Sequence, residues 1–270
     1  LLSIPQAVLL GIVEGITEFL PVSSTGHLLV VSDLIGFGTG SSSTAADTYS
    51  IAIQFGAILA VLLLYRIRVW SAVRGLVGAD VEGRAFLIRL LVAFLPAALI
   101  GFVAGDAMKS ALFGPVPVTI AWVVGGVFLL RWKPTVGSVS LHEMPIRAAL
   151  IIGCAQSIAL WPGVSRSLVT LVAALAVVLS MSSAIEFSFL LGLITLSSAT
   201  ALDLTKHGSE LVDQFGILAP AIGLVCAFIT AVIAVKWMVG YLESHSLRVF
   251  GWYRLAIGAV SVVLLATNVL

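Results

Sequence analysis

The length of the uncharged apolar runs limits the folds open to this chain more than any other feature. Residues 51 to 65 (IAIQFGAILAVLLLY) and 215 to 235 hold no charged side chain, while 87 to 104 and 252 to 270 each hold a single arginine. About 20 apolar residues in a helix cross a bilayer core. A soluble domain is about a quarter charged, whereas this chain is 10% charged and 60% hydrophobic. The blocks do not alternate as the strands of a membrane barrel would. The expectation is an all-α polytopic integral membrane protein forming a single membrane domain over 1-270.

Composition excludes little else. The net charge of +1 comes with no basic run that would suit nucleic acid. Cys154 and Cys226 lie in different apolar segments, which argues against a disulfide framework or a CxxC metal site. The first apolar stretch lacks a basic leading region and does not read as a cleaved signal peptide. Homodimerisation is left open by the sequence.

Ten helical elements are predicted. The first half holds 5–19, 22–37, 46–65, 86–105 and 116–131, and the second holds 147–160, 164–179, 183–201, 215–238 and 252–269. Turn-rich breaks fall at 38–48 and 133–145. The two halves, about 1-140 and 141-270, echo each other. AVLLGIVEGITEFLPVSS from Ala7 matches ALIIGCAQSIALWPGVSR from Ala149 at a constant offset of 142, pairing Gly11 with Gly153, Glu14 with Gln156 and Ser23 with Ser165. Basic residues gather around three loops: Arg66, Arg68, Arg74, Arg84 and Arg89; Arg131, Lys133 and Arg147; and Lys236, Arg248 and Arg254. The loops between them hold Lys109 and Lys206. All three can be cytoplasmic only if the first two elements of each half make no net crossing. The expected architecture is therefore an inverted-topology repeat of two five-element halves, each with a re-entrant hairpin plus three transmembrane helices.

Polar residues concentrate at the hairpin tips. In VEGITEFLPVSSTGHLLV (13–30), Glu14 and Glu18 share a helix face, and a charge at bilayer depth costs several kcal/mol. Pro21 breaks the helix, and Ser23, Ser24, Thr25 and His27 follow it. In WPGVSRSLVT (161–170), Pro162 and Gly163 break the chain before Ser165, Arg166, Ser167 and Thr170. Arg166 suits either phosphate oxygens or a salt bridge to Glu14 or Glu18. Helix starts after both breaks offer free N–H groups to an anion. Two carboxylates favour a hard divalent cation, Mg²⁺ or Ca²⁺. These residues suggest an intramembrane site that handles phosphate, with Gln156, opposite Glu14 in the repeat, as a further site residue. Trp70, Trp132, Trp237 and Trp252 fit interfacial anchoring. His142, His207 and His245 read as solvated loop residues, and Asp203 as a helix-end cap or ion partner.

EGITEFLPVSSTGH and PGVSRSLVT closely resemble the signature stretches of the undecaprenyl pyrophosphate (undecaprenyl-diphosphate) phosphatase family of the bacitracin-resistance type. IQFGAILAV (53–61), EFSFLL (186–191) and ATALDL (199–204) extend the likeness over most of the chain. The resemblance implies a bacterial cytoplasmic (inner) membrane enzyme that removes one phosphate from the C55 lipid, recycling the carrier for cell-wall glycan synthesis. It also implies a divalent cation and a site open to the outer face. Carried over, Glu14 and Glu18 match the acidic, metal-binding motif. Ser23, Ser24, Thr25 and His27 match the hydroxyl–histidine run, and Ser165, Arg166, Ser167 and Thr170 the phosphate-binding run. The expected chemistry is attack by Ser24 or an activated water, with His27 as general acid/base and Arg166 holding developing charge. The chain departs from the pattern at Ser50, Leu168, Val169 and Thr195. The rival reading is a transporter or flippase of polyprenyl phosphate. A phosphatidic-acid-type phosphatase fails on spacing, because the next histidine after Arg166 is His207.

Overall fold

The computed structural model describes residues 2–38, 43–134 and 136–270, and every regular element among them is helical. In order these are α1 (Ile4–Thr17), α2 (Ser24–Leu34), α3 (Ser43–Leu64), α4 (Arg66–Leu76), α5 (Val81–Leu112), α6 (Pro115–Arg131), α7 (Ile146–Gln156) with a 3₁₀ turn (Ser157–Leu160), α8 (Arg166–Ala176), α9 (Met181–Phe215), α10 (Leu218–Leu242) and α11 (Arg248–Ala266). Within α3, α5, α9, α10 and α11 lie the five candidate membrane spans among the described residues. The sixth span expected from sequence, α6, is a 17-residue apolar helix slightly short for a crossing. At 1.5 Å per residue, α1 reaches about 21 Å and α2 and α8 about 16 Å each, against a hydrocarbon core about 30 Å thick. None of these three crosses the core alone.

Three expectations change. The first basic loop contains a helix, α4, with Ile67, Trp70, Val73 and Leu76 exposed beside Arg66 and Arg74. Its apolar residues recur every three positions, the composition of a helix lying in a membrane interface. Helix α9 runs to Phe215 rather than residue 201. His207 therefore lies within a helix, with Nδ1 3.3 Å from the Asp203 carboxylate one turn earlier, and is not a loop residue. Helix α11 begins at Arg248, which places Arg254 well inside it and fully buried rather than beside a loop. The linker expected at 38–48 lies partly outside the described residues, and α3 already begins at Ser43.

Small residues set how closely the helices approach. On α1, a Cβ at Gly11 would strike the Gly223 carbonyl of α10, and one at Gly15 would strike Ala227 and Thr230. Helix α7 uses Gly153 in the same way against Ala93 of α5. Such contacts are how membrane helices gain packing energy where lipid supplies no hydrophobic drive. The buried core runs through Phe19, Phe187, Phe189, Leu171 and Met144.

One end of the molecule gathers the basic segments. Arg68 of α4 pairs with Glu186 near the start of α9 at 2.7 Å, and Arg89 donates to the His142 carbonyl at 3.1 Å. Val139 bridges to Leu179. At this end Asp80 caps α5, accepting from the Gly83 N–H at 2.8 Å and from the Ser71 hydroxyl at 2.7 Å. These bonds hold its carboxyl below the usual range. At another edge, Phe37 packs on Phe215.

Candidate active site at two helix breaks

The short-helix pairs are interrupted at Pro21 and at Pro162–Gly163, and the two interruptions meet. After α1 the chain turns through Glu18–Val22 and restarts at Ser23, which caps α2 by accepting from the Gly26 N–H. Ser23 has φ +73°, a conformation that costs a non-glycine residue on the order of 1–3 kcal/mol. After α7 the chain turns through Trp161–Val164, with Gly163 at φ +89°, and Ser165 caps α8.

Carbonyls freed by the first break must find donors, since none is available from lipid. Ser167 donates to the Leu20 carbonyl at 2.8 Å, Arg254 to that of Pro21 at 3.3 Å, and the Trp122 indole to that of Val22 at 3.0 Å. The serines of the second break thus complete the backbone of the first.

Between the breaks lies a cavity of about 180 Å³, lined on its polar side by Glu18, Ser23, Ser24, Thr25, Gln54, Gln156, Ser165, Arg166 and Thr195. Glu18 is its hub. One carboxylate oxygen accepts a short bond from the Ser24 hydroxyl, and the other accepts from the Arg166 guanidinium at 3.1 Å. The salt bridge read as one option from sequence is therefore formed. Arg166 also donates to the Ser188 carbonyl at 3.2 Å and lies over the Phe19 ring, while its Nε has no acceptor. A Cβ on Gly192 would overlap the guanidinium, so any larger residue there on α9 would displace Arg166 from this position.

Of the expected site residues, Glu18, Ser23, Ser24, Thr25, Ser165, Arg166 and Gln156 border the cavity. The remaining expected residues do not. Ser167 is turned to Leu20, and the Thr170 hydroxyl meets the Arg166 carbonyl and the Ser188 hydroxyl, so both tie α8 to its neighbours. His27 points toward α6 and α11: Nδ1 lies 2.6 Å from the Ser23 carbonyl and Nε2 2.9 Å from the Tyr253 hydroxyl, with the ring stacked on Tyr253. Three residues after Ser24, its direction follows the turn of α2 and the Ser23 dihedrals. Glu14 sits behind Glu18, fully buried, facing the Glu18 carboxylate, with neither oxygen receiving a donor.

Two facing carboxylates, one of them without donors, leave negative charge that a cation or proton must balance. Their hard oxygens suit Mg²⁺ or Ca²⁺. No group of three or more His, Cys, Asp or Glu side chains disposed to hold a metal occurs among the described residues. A cation placed there would have to draw its other ligands from water or phosphate oxygens, as Mg²⁺ usually does.

Gln54 also lines the cavity, and the signal that marks it in the sequence is a glutamine in an otherwise apolar run. Thr195, noted only as a departure, bonds Gln156 at 3.4 Å across the cavity. Ser50, another departure, bonds its own helix at Ala46 and does not line the cavity.

Fold and site define a polytopic helical membrane protein with an acid–serine–arginine cluster buried where two broken segments meet. The family model described as bacitracin resistance protein BacA matches residues 7–260, and the chain belongs to that family. It is 44% identical to a protein of Sorangium cellulosum named undecaprenyl-diphosphatase, over 94% of this chain and 84% of that one. It is also 44% identical to an undecaprenyl-diphosphatase of Bradyrhizobium diazoefficiens, over 97% of each. A protein of Rhodospirillum rubrum named undecaprenyl-diphosphatase 2 is 44% identical over 94% of this chain and 92% of its own length.

Proposed function

We propose that the chain is an undecaprenyl-diphosphatase that removes the terminal phosphate of undecaprenyl pyrophosphate within the membrane, regenerating undecaprenyl phosphate for cell-wall synthesis. The observation that carries this reading is the contact of Glu18 with both Ser24 and Arg166 at the cavity wall. A carboxylate bonded to a hydroxyl is placed to take its proton, and a guanidinium beside it is placed to receive phosphate oxygens.

In the reaction, Glu18 accepts the proton of the attacking oxygen, that of Ser24 or of a water held in its place. This oxygen bonds to the terminal phosphorus as the anhydride P–O bond breaks, and the lipid monophosphate leaves. If Ser24 attacks, water then cleaves the phosphoserine to release inorganic phosphate. Arg166 exchanges Glu18 for the phosphate and meets the growing charge on its oxygens, joined by the N-termini of α2 and α8. A divalent cation held by Glu18 and Glu14 would neutralise phosphate charge and polarise the reacting bond. His27 serves as a prop rather than a proton carrier: it fixes the Ser23 carbonyl and hence the strained start of α2. Polyprenyl phosphate transport would give the Ser24–Glu18 pair no role.

The site belongs to an inverted repeat in the bacterial cytoplasmic membrane, its cavity facing outward. Helix pairing supports the repeat. Exchanging the halves maps α1 on α10 to α7 on α5, and carries the α3–α9 and α6–α11 pairs onto themselves. Gly11 and Gly153, equivalent at the repeat offset, each admit a neighbouring helix. Helix α4 has no counterpart.

Phosphate release from undecaprenyl pyrophosphate by the purified protein tests the reading. Activity is expected with Mg²⁺ or Ca²⁺ and abolished by EDTA. Ser24→Ala should lose at least about 10²-fold in kcat if serine attacks. A wild-type protein that binds the lipid but releases no phosphate would overturn it.

A further inference from the structure

Buried ionisable side chains inside a membrane protein need a partner and usually a function. Arg166 has Glu18. The other arginine buried among the helices, Arg254, has no bonded carboxylate. It is wholly inaccessible, and its guanidinium donates to three backbone carbonyls: Pro21 at 3.3 Å, Gly163 at 2.8 Å and Ala121 at 2.9 Å.

Those acceptors are informative. Pro21 lies in the first break and Gly163 in the second, while Ala121 belongs to α6, against which both breaks rest. The turns at the two breaks leave carbonyls without helical donors, and inside the membrane each must find another donor. One rigid cation therefore spans both interruptions, two residues before Ser23 on one side and three before Arg166 on the other. The planar fork of arginine serves two such carbonyls with fixed geometry, which a lysine cannot do.

The surroundings are shaped for this group. A Cβ on Gly125 of α6 would overlap the Arg254 guanidinium, and one on Gly163 would strike Val118 and Ala121. Trp122, one residue beyond Ala121, holds the next carbonyl of the first break. Tyr253, adjacent in sequence, holds His27. Helices α6 and α11 thus grip the two breaks from the side away from the cavity.

We infer that Arg254 is a positioning residue for the reaction: by pinning the Pro21 and Gly163 carbonyls to one guanidinium it fixes the separation of Glu18 and Ser24 from Arg166. The inference rests on the phosphatase reading above. Arg254 touches no substrate, so its loss acts through the geometry of the reacting groups. A misplacement of about 1 Å in such a site costs on the order of 10²-fold in rate.

Two neighbouring glycines separate positioning from mere packing. Gly125→Ala forces the guanidinium aside. Gly126→Ala loads the same α6–α11 seam, but against Leu255 and the Gly251 carbonyl. The test measures kcat, KM and thermal stability in detergent for wild type, Arg254→Lys, Arg254→Met, Gly125→Ala and Gly126→Ala, with undecaprenyl pyrophosphate as substrate. Expected is a kcat loss of about 10²-fold in Arg254→Met and at least about tenfold in Arg254→Lys and Gly125→Ala, with KM changed little. Gly126→Ala should lose stability yet keep kcat within about threefold of wild type. If Arg254→Met fails to fold, Gly125→Ala against Gly126→Ala decides. Equal kcat in those two glycine variants, or wild-type kcat in a folded Arg254→Met, would overturn the inference while leaving the phosphatase reading intact. An inactive wild type would instead overturn the phosphatase reading, and this inference with it.

Discussion

Replacing Arg166 with lysine keeps a positive charge but loses the fork that reaches Glu18 and the Ser188 carbonyl together. Phosphate release by Arg166→Lys should therefore fall nearly as far as that of Arg166→Ala, about 10²–10³-fold or roughly 2.7–4 kcal/mol of transition-state stabilisation. A kcat of Arg166→Lys close to wild type would mean that charge alone suffices. His27 gives the contrasting case. Because its ring is held by Ser23 and Tyr253 away from the cavity, His27→Gln should lower kcat while every limb of the pH–rate profile persists. Loss of one limb would restore it as a proton carrier. Glu18, Ser24 and Arg166 were legible because charge is so rare in this chain that its appearance with hydroxyls beside Pro21 and Pro162 carries meaning. The direction of His27 was not legible, since it follows from the positive φ of Ser23 and the turn of α2. Ser167 and Thr170 read as phosphate ligands through the resemblance of their motif, yet their hydroxyls satisfy backbone and side-chain oxygens that only the folded breaks bring near.

Among the elements, α1 is held by the closeness of its glycines to α10. Gly15→Val must push Ala227 and Thr230 aside and should cost about 1–3 kcal/mol of stability. Gly105→Ala, with nothing near its Cβ, should leave the thermal midpoint nearly unchanged, and fluorescence-monitored unfolding in detergent compares them. Equal midpoints would contradict the packing described for α1. At the basic end, Asp80 links α4 to α5. Its carboxyl is lowered first by the Gly83 N–H and then by the Ser71 hydroxyl. Its contribution is therefore present above the unfolded value near about 3.9 and lost as pH falls through the lower folded value. Asp80→Asn should lower the midpoint at neutral pH and shrink its fall on acidification below about pH 4. An unchanged acid limb would contradict that cap. Most helices were legible from apolar run length. Helix α4 was missed because a run rich in arginine reads as a loop unless its apolar spacing is weighed, and the polar second half of α9 hid its continuation to Phe215.

At the scale of the whole molecule, the charge pattern and the echo between halves make a joint statement about sidedness. In a background lacking Cys154 and Cys226, cysteines placed at 77–79, 137–139 and 244–246 should react with an impermeant maleimide only from the cytoplasm. Cysteines at 36–37 and 216 should react only from outside. Labelling of 137–139 from outside would end the inverted-repeat reading. Run length made the membrane helices readable from sequence, and the 142-residue echo suggests the repeat that the labelling tests. The seat of Arg254 was not readable, because an arginine well inside a helix looks like a flanking cation until the opposing glycine is in place. The central claim is that two interrupted segments bring acid, hydroxyl and guanidinium around one pyrophosphate head. Its most direct test is inorganic phosphate release from undecaprenyl pyrophosphate by wild type and Arg166→Ala, both shown to be folded and saturated with lipid. Rapid release by the first and a loss of at least about 10²-fold in the second is the predicted result. Equal release by the two proteins would contradict the claim.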